Sequence, residues 1–134
     1  MKTLFATTAL ILSMTAATNA AGAAKADVLG GGPVYAPSEY TLYCQYINFG
    51  TKNVTPMLQQ LFEGAGTTPI VSGSTCANNS TVLPNQTCYI YPESPISVQI
   101  SCKVTFSGSA TGVRGALQLY DEGYVNLLST VELR

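Results

Sequence analysis

Three kinds of side chain in this sequence could do chemistry: paired carboxylates, thiols and phenols. Imidazole is missing, because the chain contains no histidine. That removes Ser-His-Asp and Cys-His relays, base catalysis by imidazole and His-based metal sites. Asp121 and Glu122 are the only adjacent carboxylates. A hydrolytic pair must face across a cleft at about 5–9 Å. Neighbours in a turn splay to opposite sides instead, and Asp121-Glu122-Gly123 has turn composition. A calcium ion there would lack most of the oxygen ligands it needs. These two carboxylates are therefore read as solvated turn charges. No catalytic residue, no cofactor and no metal is expected.

The thiols point to structure rather than reactivity. Cys44, Cys76, Cys88 and Cys102 are an even set, and the short Cys-x₂₋₄-Cys pairs of a zinc site are missing. Two disulfides are the expectation, with three pairings open to them. Cys76 and Cys88 flank a polar stretch able to fold back on itself, whereas Cys44 and Cys102 each sit inside a strand pattern. This favours Cys44–Cys102 with Cys76–Cys88. No thiol nucleophile then remains.

The phenols are the most suggestive group. If Cys44 and Cys88 point inward, period-two alternation turns Tyr43, Tyr89 and Tyr91 outward. Tyr120 and Tyr124 flank the hairpin tip at Asp121-Glu122-Gly123. Outward tyrosines on neighbouring strands offer a large contact area at low entropic cost. The alternative is ordinary cross-strand packing on a solvated sheet face. Tyr43, Tyr89 and Tyr91 are the candidate partner-binding residues.

The elements that must position these residues are strands. From Ile96 to Phe106 the apolar series Ile96, Val98, Ile100, Cys102, Val104 and Phe106 alternates with polar residues, the signature of one buried face. Leu42, Cys44 and Tyr46 share a face opposite Tyr43, Gln45 and Ile47. Leu117 and Leu119 alternate with Gln118 and Tyr120. Val125, Leu127, Val131 and Leu133 continue the theme, with a phase slip at Leu128. Only Met57–Phe62 has helical spacing, and it is short, uncapped and preceded by Pro56. Gly30–Pro37 reads as a leader lying along an edge. Glycine-, proline- and asparagine-rich turns separate the runs. Seven or eight short strands in this arrangement predict an all-β, immunoglobulin-like antiparallel β-sandwich with two disulfides.

The start of the chain predicts export. Met1-Lys2, an apolar run from Leu4 to Met14 and a small-residue stretch to Ala26 are the three parts of a signal peptide. Ala24-Lys25-Ala26 fits the cleavage rule better than Thr18-Asn19-Ala20 or Ala21-Gly22-Ala23, so residues 1–26 are expected to be removed. The bulky run is about half of the ~20 residues that span a bilayer, and no later segment is long or apolar enough. The single domain, residues 27–134, carries Lys52, Lys103, Arg114 and Arg134 against Asp27, Glu39, Glu63, Glu93, Asp121, Glu122 and Glu132. A mildly acidic chain without a basic cluster is not expected to bind nucleic acid or an anionic membrane surface. The four Asn-x-Ser/Thr matches, at Asn53, Asn78, Asn79 and Asn85, are read as chance in a chain rich in these residues.

Three resemblances follow from particular residues. Ala26-Asp27-Val28-Leu29-Gly30, the four spaced cysteines, Arg114-Gly115 and the closing Leu133-Arg134 resemble a group of small exported bacterial proteins of unknown function. That likeness supports the cut before Asp27 and brings no activity with it. Cys76, Leu83-Pro84-Asn85-Gln86-Thr87-Cys88 and Gly112–Asp121 are similar to immunoglobulin-like modules of the abnormal-spindle/hydin type. Asn85 stands where those modules carry glycine. This likeness implies a sandwich, a Cys76–Cys88 bridge and a role in binding or spacing. Tyr43-Cys44-Gln45 with Asn48-Phe49-Gly50 resembles pilin-like subunits of the spore-coat-U kind, which polymerise by donating a strand. The ending Val131-Glu132-Leu133-Arg134 departs from the apolar-aromatic strand usual there.

The sequence thus predicts an exported, periplasmic or secreted protein that is not an enzyme. It would be a monomeric sandwich module meeting an unidentified protein or surface partner. The alternative is a structural subunit of a pilus or coat, assembled by edge-strand addition.

Overall fold

A computed structural model describes residues 26–64 and 68–134. The expected signal peptide lies outside the described residues, save its last residue, Ala26. The described chain is an immunoglobulin-like antiparallel β-sandwich of nine strands. They are β1 (Asp27–Ala36), β2 (Thr41–Asn48), β3 (Pro56–Glu63), β4 (Thr68–Ile70), β5 (Ser72–Ser74), β6 (Thr87–Pro92), β7 (Val98–Phe106), β8 (Val113–Tyr120) and β9 (Leu127–Leu133). One sheet runs β1-β7-β3-β4, the other β5-β6-β2-β8-β9.

The alternating runs become the strands that line the core. Ile100, Cys102, Val104 and Phe106 of β7 face Leu42, Cys44 and Tyr46 of β2, with Ile90, Leu117 and Leu119 completing the interior. Tyr46 is fully buried, and its ring meets Phe106 edge to face at 5.5 Å. The disulfides are Cys44–Cys102 and Cys76–Cys88. The first joins β2 to β7 and so ties the two sheets. The second anchors the 77–87 loop, whose Val82 pairs with Val54 and is buried.

Three stretches differ from the simple alternating pattern. The glycine-rich leader is a full edge strand, β1, paired with β7 from Asp27↔Phe106 to Ala36↔Val98. Its register shifts at Gly32-Pro33, where a Cβ on Gly32 would stand 2.7 Å from Ser101 Cα. Only glycine fits that approach, and such glycines hide a strand from pattern reading. Gly30 also exchanges backbone hydrogen bonds with Arg134, both at 3.0 Å, so β1 is tied to the residue that follows β9.

The stretch with helical spacing, Met57–Phe62, lies in β3. A bulge between Pro56 and Leu58 sets Met57 and Leu58 both outward, which breaks the period-two signal. A second bulge, between Leu119 and Tyr120 against β9, accounts for the phase slip at Leu128: Leu127 and Leu128 are both exposed. Nine strands rather than seven or eight result because β1 is a full strand and because one edge segment serves both sheets. That segment changes sheet at Val71, forming β4 on one side and β5 on the other.

Two buried amides organise the interior. Asn48 donates to the carbonyls of Lys52 and Val82 and accepts from the Gly50 amide, shaping the loop after β2. Gln59 accepts from the Tyr46 hydroxyl at 2.9 Å and from the Ser74 hydroxyl at 3.0 Å, and donates to the Cys76 carbonyl at 2.6 Å. It therefore links β3 of one sheet to β2 and β5 of the other. Burial pushes the Tyr46 phenol well above its ordinary range.

Candidate functional site

Alternation along β2 and β6 decides which residues share the outer sheet face. Cys44 is buried and pairs with buried Ile90, and Gln45 pairs with Tyr89. Tyr43, Tyr89 and Tyr91 are thereby turned out together, as the sequence pattern predicts. On the other flank, Tyr43 pairs with Gln118 and Thr41 with Tyr120. The sheet order β6-β2-β8 then makes Tyr43 the centre of a ring cluster.

Its ring lies 5.8 Å from Tyr89, 6.5 Å from Tyr91 and 6.3 Å from Tyr120, each close to edge-to-face, and 6.1 Å from Tyr124 at a shallow tilt. Edge-to-face packing sets the positive rim of one ring against the negative face of the next. Tyr89 and Tyr91 remain 38% and 37% exposed and Tyr124 59%, so the cluster presents aromatic surface to solvent.

Tyr124 reaches the cluster from the β8–β9 turn. Its backbone is left-handed (φ 58°), a conformation that bulky residues seldom adopt. The turn is held by Asp121, whose carboxylate accepts from the Val125 amide, the Asn126 amide and the Asn126 side chain at 2.9, 3.1 and 2.6 Å. The Asn126 bonds, backbone first, hold the Asp121 carboxyl below its ordinary range. A depressed carboxyl stabilises the fold above its unfolded pKa, and that contribution is lost as pH falls through the lowered value. Asp121 therefore works as a turn brace, while Glu122 lines the groove beside the tyrosines. The two carboxylates are divided, as adjacent turn residues must be.

The phenols tune one another. Partial burial, and then the Tyr124 phenol, raise the Tyr43 phenol above its ordinary value. The Thr41 and Tyr43 hydroxyls beside the Tyr124 oxygen favour its anion and lower that phenol.

Tyr43, Tyr89, Tyr91 and Tyr124 line an open groove of about 780 Å³, within the usual range of ligand pockets. Its other walls are the turn before β2, with Ser38, Glu39 and Tyr40, and the end of β6 at Pro92 with the stretch after it to Ile96. Glu39, Glu93 and Glu122 are exposed at this groove. The arrangement offers aromatic faces, phenol donors and carboxylate acceptors. Among the described residues no group of three or more His, Cys, Asp or Glu could hold a metal ion.

The sequence pattern turns Tyr43, Tyr89 and Tyr91 outward and sets Tyr124 beside the hairpin tip, but it does not bring the Tyr124 ring or the carboxylates of Glu39, Glu93 and Glu122 to them. Those residues sit in turns, and their convergence depends on strand order rather than on any local pattern. The doubled proline around Glu93, Pro92 and Pro95, is the one local sign of a shaped loop.

Gly73 supports the site from below. It pairs with Tyr91 across β5–β6, and a Cβ there would stand 2.7 Å from the Tyr91 ring. Gly73→Ala is expected to swing the Tyr91 ring off its place beside Tyr43. The ring is the free end of a flexible side chain, so stability should change by only about 0.5 kcal/mol. Shifted Tyr43 and Tyr91 ring resonances with an unchanged denaturation midpoint would show this; unshifted rings would contradict it. Compared with family models, with curated proteins and with solved structures, the chain matches none.

Proposed function

We propose that this chain is an exported β-sandwich module, not an enzyme, that binds a protein or surface partner through its tyrosine face. The observation that carries this reading is the cluster of five tyrosine rings centred on Tyr43, beside an open groove. Exposed clustered aromatics are what binding faces use, since Tyr brings a large rigid area with a polar tip.

Other observations support the reading. Histidine is missing from the sequence and all four cysteines are bridged, which leaves no familiar nucleophile–base pair. Two disulfides suit an oxidising compartment. No described helix is long and apolar enough to cross a membrane. Asp27, the first residue after the expected cut, is pinned: its backbone nitrogen donates to the Gly108 carbonyl and its carboxylate accepts from the Ala110 amide at 2.8 Å. The chain's own β1 fills the edge beside β7, which supports a self-complete monomer over a strand-donating subunit.

The test is a pair of measurements on protein from its own host. Native mass spectrometry should find a monomer that begins at Asp27 with both disulfides formed. The double substitution Tyr43→Ser with Tyr89→Ser should cost about 2 kcal/mol of stability, leave the fold intact, and abolish capture of the native partner. Undiminished capture by a folded double variant would refute the face; an unprocessed or reduced chain would refute export.

A further inference from the structure

We infer that the tyrosine groove takes a basic protein segment, an extended stretch bearing several Lys or Arg side chains. This names the partner class of the face proposed above and rests on that reading.

The argument is charge complementarity combined with aromatic surface. Three carboxylates line the groove: Glu39 from the β1–β2 turn, Glu93 from the stretch after β6 and Glu122 from the β8–β9 turn. No Lys or Arg lines it. The chain's own described cations lie elsewhere. Arg114 pairs with Ile47, at the far end of β2 from the Thr41↔Tyr120 pair, six residues or about 20 Å away along the strand. The Lys52 carbonyl is bound by Asn48 at that same far end. Lys103 is exposed on β7 of the opposite sheet, and Arg134 stands beside Glu132 at 3.7 Å. One end of the sheet face is therefore acidic and aromatic, and Arg114 and Lys52 stand at the other.

Such a groove attracts cations in two ways. Carboxylates pair with ammonium or guanidinium groups, and tyrosine faces attract the same groups through the ring quadrupole. An anionic ligand meets like charge on three sides. The three carboxylates come from three separate connections around the groove. A ligand that answers all of them carries several charges spaced along its length, which a side-chain-bearing segment does and a single small cation does not.

The test uses the oxidised domain and three probes: a twelve-residue peptide alternating Arg and Ser, the same peptide with Glu for Arg, and choline. Titration calorimetry at low and moderate salt reads binding. The Arg peptide is expected to bind, more weakly as salt rises, with the Glu peptide silent and choline much weaker. Combined Glu39→Gln, Glu93→Gln and Glu122→Gln should weaken it about tenfold and flatten the salt dependence. Tyr43→Ser with Tyr89→Ser, which leaves net charge unchanged, should weaken it as well; that separates the groove from general electrostatics. Equal binding of the Arg and Glu peptides, or of the Arg peptide to wild type and the glutamine variant, overturns the inference. So does self-association of the chain through this face that the Arg peptide cannot displace. If the Arg peptide fails to bind while the tyrosine variant still loses its native partner, this inference fails and the broader reading stands. If the tyrosine variant loses nothing in either assay, both fail.

Discussion

Replacing Cys44 and Cys102 together by alanine is expected to lower the unfolding free energy by about 4 kcal/mol. The bridge spans 58 residues, so its loss restores the conformational freedom of a long loop to the unfolded chain. The Cys76–Cys88 bridge spans 12, and its removal should cost about 3 kcal/mol by the same relation. A small domain holds only about 5–15 kcal/mol in total, so the first variant loses between about a quarter and four fifths of its stability. Urea denaturation of the oxidised wild type and the two alanine pairs would rank them. Equal midpoints, or a larger loss from the shorter loop, would contradict the account. The consequence reaches the site. Cys44 holds the inner face of β2 to β7, and Tyr43, the next residue, is turned outward by that anchoring. The long-bridge variant should therefore also lose the ordered Tyr43 cluster before the rest of the sheet melts.

Much of this architecture is legible in the sequence, because the buried strands of a sandwich alternate strictly. Ile96 to Phe106 reads as a strand, and β7 runs from Val98 to Phe106. Both disulfides follow from strand and loop context. Parity relative to Cys44 and Cys88 places Tyr43, Tyr89 and Tyr91 outside. Parity fails where the backbone departs from the pleat. β1 is hidden by Gly30-Gly31-Gly32-Pro33, which supplies no alternating side chains, and the bulge at Met57 disguises β3. The groove is beyond local reading for another reason. Glu39, Glu93 and the Glu122–Tyr124 turn stand far apart in the chain, and only the order β6-β2-β8 assembles them. Tyr124 further depends on a left-handed backbone that Asp121 braces, and no residue pattern announces that contact.

Gln59 is the other residue whose weight the sequence conceals, and its substitution should have the second largest effect. Gln59→Leu is expected to destabilise the domain by about 3 kcal/mol, because it orphans the buried Tyr46 hydroxyl and strips the Cys76 carbonyl of its closest donor. Tyr46→Phe should cost about 1 kcal/mol, since the Gln59 oxygen keeps the Ser74 hydroxyl as a donor. The two changes together should be less harmful than Gln59→Leu alone, because no buried hydroxyl is then left unpaired. Denaturant midpoints of the four proteins form a double-mutant cycle that reads this directly. Additive losses would mean that the two side chains do not share one buried bond. The pH dependence gives an independent check. Burial raises the folded Tyr46 phenol, so its contribution is complete below the unfolded phenol pKa of about 10 and is lost as pH rises beyond it. Wild type and Gln59→Leu should weaken in that alkaline range more steeply than either protein carrying Tyr46→Phe. A side chain that joins β3 to β2 and β5 through one amide thus fixes how the two sheets sit on each other. The outer face of the second sheet, with Tyr43 at its centre, inherits its shape from that inner contact.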